Sequence, residues 1–214
     1  MASTPAAASI RVTDVGPRDG LQNESEVVSV EAKVAFIDRL LRTGVTEVEV
    51  SSFVSPKWVP QLGDASEVFA AIERPPGVVC SALVPNEKGY ARAREAGVDK
   101  IAVFAAASET FSRKNTNGSI AEVVDRFRPV IDAARGDGLT VRGYVSCVVA
   151  CPYEGPIAPG QVRVVSARLL EAGVQELDLG ETIGVAVPSD IDRLYEGLDG
   201  LVEPGSTTLH LHDT

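Results

Sequence analysis

Cysteine, histidine and positive charge are all in short supply in these 214 residues. Three cysteines, Cys80, Cys147 and Cys151, do not make a disulfide framework. Cys147 and Cys151 are spaced like half of a metal site, but no second pair completes a structural zinc centre, so all three read as ordinary thiols. Lys and Arg number 20 against 30 Asp and Glu, a formal net charge of -10. That balance speaks against nucleic acid as a partner and against a basic membrane surface. It leaves room for an anionic metabolite held by a few local arginines. No apolar run reaches the ~18 residues that a membrane-crossing helix needs. The opening MASTPAAAS lacks both the apolar core of a secretion signal and the arginines of a transit peptide. Residues 1–9 are expected to be a flexible tail on a cytoplasmic protein, and residues 10–214 to form one domain.

What is present is a recurring unit. TGVTEVEV, PGVVCSAL, AGVDKIAVF, DGLTVRGYV and AGVQELDL each open with Gly and an apolar residue and continue as a short β-branched run. Glycine closes the preceding helix, and the run after it favours a strand. Between the runs lie helical patterns: Val34, Ile37, Leu40 and Leu41; Val123, Phe127, Val130 and Ile131 after a Ser119–Glu122 capping box; Val162, Val165 and Leu169; and Ile191, Leu194 and Leu198 after Pro188. About seven strands result, near 11–15, 45–51, 78–84, 98–105, 139–146, 174–180 and 206–211. Alternating strands and helices imply parallel pairing with right-handed crossovers. The first strand runs into DVGPRDGLQNE, which is no dinucleotide-binding glycine fingerprint. The expected fold is therefore a TIM (β/α)8-type barrel with about seven βα units present and the final unit missing, with a doubly wound sheet as the alternative.

Polar residues gather where the strands end: Arg18 and Asp19; Glu49 and Ser51; Arg142, Tyr144 and Ser146; Asp178 and Glu181; His210 and His212. In a barrel those ends open on one face and build the site. His210 and His212, the only histidines, sit two apart on a strand and so face the same way. They can converge on one metal ion, with Asp19 as the carboxylate from across the mouth. The plainer alternative is a pair of polar residues near a chain end. Asp213 falls on the opposite face of the strand, where it orients a loop or supports an imidazole from behind. Arg18 is placed to stabilise an oxyanion or enolate, and Glu49 to hold Arg18 in a bidentate pair. Arg113 and Lys114 follow the fourth strand, read as a loop that is either simply solvated or in contact with substrate phosphates. FVSPKWVPQLGD, carrying Trp58, is either a structural loop or part of the site rim.

Six stretches, VTDVGPRDGLQNE, VEVSSFVSPKWVPQLGD, FAAASETFSRKNTN, VRGYVSCVVACPYEG, LGETIGVAVP and LHLHDT, are together similar to hydroxymethylglutaryl-CoA lyase, collinearly from about residue 10 to residue 214. RDG and HLHDT alone mark a broader group of metal-binding TIM barrels that includes acyl-CoA-condensing synthases. YVSCVVACPYEG and SFVSPKWVPQ narrow the resemblance to the lyase branch. It implies cleavage of 3-hydroxy-3-methylglutaryl-CoA to acetyl-CoA and acetoacetate with Mg²⁺ or Mn²⁺, an acyl-CoA substrate and a homodimer. It implies Asp19, His210 and His212 as metal ligands, His210 thereby at the catalytic centre. Arg18 then polarises the thioester carbonyl, Glu49 supports Arg18, and Gln22 contacts the site. The sequence departs from the family at Glu181, where LGETIG stands for the usual LGDTIG. The family's eighth strand, its cysteine-bearing glycine-rich loop and an asparagine ligand would lie in a C-terminal segment beyond residue 214. The expectation is an incomplete catalytic domain with two exposed sheet edges. A metal- and acyl-CoA-binding chain without turnover, or a related synthase, is the alternative.

Overall fold

The computed structural model describes residues 10–212. The expected tail at 1–9 and Asp213 lie outside the described residues. In chain order the elements are β1 (Thr13–Asp14), a π-helical turn (Gly16–Gly20), α1 (Val30–Leu41), β2 (Glu47–Ser52), α2 (Ala65–Ala71), β3 (Val79–Leu83), α3 (Glu87–Glu95), β4 (Lys100–Ala106), α4 (Glu109–Thr116), α5 (Ile120–Gly136) and β5 (Thr140–Ser146). A small antiparallel hairpin follows, β6 (Ala150–Cys151) with β7 (Gly155–Pro156), and then α6 (Pro159–Glu171), β8 (Glu176–Glu181), α7 (Pro188–Leu198) and β9 (Thr207–Leu211).

Seven strands form one parallel sheet in the order β1-β2-β3-β4-β5-β8-β9. The order follows the chain, as a barrel requires and a doubly wound sheet does not. The sheet curls but stays open: β1 and β9 are its two edges. The fold is thus an α/β barrel of the (β/α)8 type with the final unit absent. Between the edges lies a cleft of about 680 Å³, lined by Ile10, Val12, Thr13, Tyr195, Leu209 and His210 among others.

Local chemistry explains the repeated junctions. After α6 the chain reverses at Gly173, where φ is +104°. The Gly173 and Val174 amides donate to the Leu170 and Leu169 carbonyls, closing a Schellman turn, and β8 begins two residues later. A Cβ at Gly173 would come within 2.6 Å of the Arg135 guanidinium. The α3–β4 and α5–β5 junctions repeat this turn at Gly97 and Gly138. The Ser119–Glu122 capping box forms at the start of α5 as its spacing predicts.

The interior strands β2, β3, β4, β5 and β8 are largely buried on both faces, while the edge strands β1 and β9 are only partly covered; on the interior strands the faces differ. Val48 and Val50 of β2, Ile101 and Val103 of β4, Val141 and Val145 of β5, and Leu177 and Leu179 of β8 belong to the apolar core shared with the helices. The alternate residues are mostly polar: Glu47, Glu49 and Ser51; Lys100, followed on the same face by the small Ala102; Arg142 and Tyr144; Glu176 and Asp178. A two-residue period therefore puts apolar side chains under the helices and polar ones inside the barrel. Register then sets the height of each polar group. Ala102 pairs with Arg142 and Arg142 with Glu176; one step up, Tyr144 pairs with Asp178 and Asp178 with Thr208. Arg142, counted from sequence among the polar residues at strand ends, belongs to the lower level. There its guanidinium bonds Glu47 and Glu176, and Lys100 bridges the same two carboxylates at 2.8 Å each.

Candidate metal centre

The turn after β1 builds half of the site. The amides of Arg18, Asp19 and Gly20 converge on the Val15 carbonyl, and Pro17 supplies the fixed φ that starts the turn. This tight loop sets Arg18 and Asp19 side by side over the barrel mouth. Arg18 is 7% exposed; its Nε donates to Glu49 Oε2 at 2.5 Å and its Nη1 to Asp19 Oδ1 at 2.6 Å. Its Cζ stands 5.3 Å from the centre of the Tyr144 ring. Burial works against the guanidinium charge, but Glu49, Tyr144 and Asp19 together hold its pKa well above the ordinary value, so Arg18 stays cationic.

The carboxyl end of β9 supplies the other half. His210 Nε2 lies 3.2 Å and His212 Nε2 3.3 Å from the same atom, Asp19 Oδ2, and the two ring centres are 4.9 Å apart. One ligand atom from each of the three residues falls within 4.8 Å of the others. That spacing and donor set fit a divalent cation drawn into the middle of the group. The back of the His212 ring is fixed too: Nδ1 is 2.7 Å from the Glu181 carbonyl oxygen, which places the proton on Nδ1 and leaves the Nε2 lone pair available to a cation. The hydrogen bond with His210 and the Arg18 charge, against the effect of burial, hold the Asp19 carboxyl well below the usual range. The same bond, outweighing burial, raises His210.

The other sequence-picked residues fall in three places. Glu49 is 1% exposed and grips Arg18. Gln22 is half-buried just after the π-helical turn. Glu181 meets His212 through its main chain, while its carboxylate accepts from the Val185 amide of its own loop at 3.3 Å. Arg113 and Lys114 sit on helix α4 rather than on a loop, because Ser108 caps the Phe111 amide and starts a helix there. Arg113 is largely exposed and pairs loosely with Glu109, while Lys114 Nζ lies 4.3 Å from the Tyr153 ring centre. Trp58 is 83% exposed. Two residues given no role from sequence complete the inner wall. The Tyr144 ring stands edge-on to His210 at 6.0 Å, and Asp178 Oδ1 is 3.7 Å from His210 Nδ1. Their signal was present in sequence, since Tyr144 alternates with Arg142 and Asp178 with Glu176 on the inward face. Burial raises the Tyr144 phenol well above its ordinary value and pushes the Asp178 carboxyl up to about 6, against its hydrogen bond from Thr208.

Parallel strands in chain order, a carboxylate and two imidazoles gathered at their carboxyl ends, and a buried arginine alongside define a TIM-type barrel with a candidate metal centre. A family model described as HMGL-like matches residues 9–214, and the chain belongs to that family. It is 48% identical over 205 residues to the cytoplasmic 3-hydroxy-3-methylglutaryl-CoA lyase of Rattus norvegicus, covering 96% of this chain and 60% of that protein. It is equally identical to a 3-hydroxy-3-isohexenylglutaryl-CoA/hydroxy-methylglutaryl-CoA lyase of Pseudomonas aeruginosa, covering 68% of it. The crystal structure of the HMG-CoA lyase of Brucella melitensis superposes with a TM-score of 0.94 at 47% identity, over 96% of this chain and 73% of that one. The chain thus spans about three-fifths of the rat relative's length.

Proposed function

We propose that this chain carries the metal-binding part of a carbon–carbon lyase that cleaves 3-hydroxy-3-methylglutaryl-CoA, or a close 3-hydroxy-3-alkylglutaryl thioester, to acetyl-CoA and an oxo acid, acetoacetate in the former case. The observation that carries the reading is the meeting of both Nε2 atoms on Asp19 Oδ2 beside the buried Arg18–Glu49 pair. Asp19, His210 and His212 would hold Mg²⁺ or Mn²⁺, whose chemistry when bound is Lewis acidity toward substrate hydroxyl and carboxylate oxygens.

The chain's own groups act on the thioester. As the carbon–carbon bond breaks, the tertiary hydroxyl gives up its proton to a base and becomes the ketone of the oxo acid, and the bond's electron pair moves onto the acetyl-CoA fragment as an enolate, whose carbon is then protonated by an acid. Arg18, kept cationic and fixed by two carboxylates, stands ready to hydrogen bond that oxygen. Glu49 prevents the guanidinium from swinging away, so little reorganisation is needed when charge develops. His210 is both a metal ligand and a wall of the reacting space. Gln22, and Arg113 and Lys114 on α4, are assigned to substrate contacts, the two cations toward the phosphates of coenzyme A. We also assign the protein a cytoplasmic location and a homodimeric state with a C-terminal segment completing the barrel. The rat relative's name and the length of that relative support the location and the segment; the dimer rests on the family resemblance.

Titration calorimetry with Mn²⁺ and an acetoacetate-release assay test this together. Mn²⁺ should bind the wild-type chain, and His212→Ala or Asp19→Ala should weaken it more than about 100-fold, beyond the effect of losing an outer support. Mn²⁺ binding that ignores both substitutions sinks the metal assignment. Thioester binding without acetoacetate release, even with the relatives' C-terminal segment added, replaces the lyase reading with that of a binding protein.

A further inference from the structure

His212 and His210 face Asp19 in the same way, but only one of them has a hydrogen-bonded back. His212 presents Nε2 to Asp19 and rests Nδ1 on the Glu181 carbonyl at 2.7 Å. His210 presents Nε2 to Asp19, and behind its Nδ1, at 3.7 Å, stands Asp178 Oδ1. Both supporting oxygens come from β8, which runs beside β9 with Asp178 opposite Thr208 and Gly180 opposite His210. Asp178 is 5% exposed, and its other oxygen, Oδ2, is fixed at 2.7 Å by the Thr208 hydroxyl. Oδ1 has no hydrogen-bond partner among the described residues. Leaving a buried carboxylate oxygen without a partner is costly, so its position beside an imidazole nitrogen calls for a use.

We propose that Asp178 is a positioning residue for His210: Oδ1 accepts a hydrogen bond from Nδ1–H when the cluster holds its cation, which fixes the ring with its Nε2 lone pair toward that cation. A shift of well under 1 Å closes the present 3.7 Å to hydrogen-bond length. Site contacts of this kind commonly tighten on loading. The two rings would then be matched, one backed by a main-chain carbonyl and one by a carboxylate. The carboxylate-backed ring would be the more basic ligand. The inference rests on the metal reading proposed above and adds a residue to it.

With only two histidines in the sequence, imidazole spectra are simple to assign. In the Zn²⁺-loaded chain, ¹H–¹⁵N spectra should show two protected low-field Nδ1–H signals. Asp178→Ala should lose the His210 signal and keep that of His212, while Asp178→Asn, which still offers an oxygen and the same shape, should keep it shifted upfield. By calorimetry, Mn²⁺ affinity should fall ~10–100-fold in Asp178→Ala and less in Asp178→Asn. Circular dichroism identifies any variant that fails to fold; the Asn variant carries the test if Ala does. Unaltered His210 signals and Mn²⁺ affinity in a folded variant overturn the positioning role and leave the lyase reading standing. Failure of the wild-type chain to bind Mn²⁺ overturns both.

Discussion

Two levels of charge are stacked inside this barrel, and they are built to opposite specifications. The lower level, at the amino ends of the strands, sets two cations, Lys100 and Arg142, against two carboxylates, Glu47 and Glu176. Glu47 Oε1 hydrogen bonds nothing but lies 2.9 Å from Arg142 Nη1, an ion pair without hydrogen-bond alignment. The upper level pairs its one arginine, Arg18, with Asp19 and Glu49, and stands Asp178 beside His210. It leaves polar atoms of Tyr144, Glu49 and Asp178 without hydrogen bonds. The carboxyl groups follow suit. For Glu176 burial pushes the pKa up, but Lys100 and Arg142 overcome it and the net direction is down. For Asp178 burial prevails and the value rises to about 6. A balanced, paired level holds strands together; a level short of positive charge and of donors is suited to receive a cation.

Substitutions can separate these roles, the largest effect coming from the lower level. Arg142→Met leaves Glu47 with Lys100 alone and Glu176 with Lys100 and the partly exposed Arg11, and should cost about 3–5 kcal/mol in urea denaturation. Mn²⁺ affinity of the folded fraction should stay within about twofold, and a selective loss of Mn²⁺ binding would break the division between levels. Next comes pH. Because the folded-state pKa of Glu176 is depressed below its ordinary 4.5, its stabilisation is present above 4.5 and lost as pH falls through the lower folded value. The urea midpoint should therefore drop on the acid side, and Glu176→Gln should flatten that limb; an unchanged slope would detach Glu176 from the network. The smallest effect belongs to Arg11→Ala. Arg11 reaches Glu176 at 3.4 Å with a side chain 43% exposed. Its loss should change stability by less than about 1 kcal/mol and leave metal affinity alone.

The sequence conveyed the strand–helix alternation because it depends on local period and on the glycine turns at Gly97, Gly138 and Gly173. It also brought Asp19 into one argument with His210 and His212, since their places at strand ends share a barrel face. Height within the barrel was not legible. Arg142 and Tyr144 are two residues apart on the same face of β5, yet one serves the lower level and the other the upper. Only the pairing of Arg142 with Glu176 and of Tyr144 with Asp178 separates them. The helix under Arg113 and Lys114 does not stand out from a loop in the sequence, its Ser108 cap lost among the polar residues of AAASETFSRKNTNGS. The backing of His212 by a main-chain oxygen has no side-chain signature at all.

The open side of the barrel gives the cluster a mechanical meaning. Asp19 follows one edge strand and His210 and His212 lie at the end of the other, so the three groups face each other across the seam rather than within one wall. An ion shared by them would work as a clasp, and linkage would make the effect mutual. Gripping the ion would draw the two lips together and slow amide exchange along them; prying the lips apart would loosen the grip.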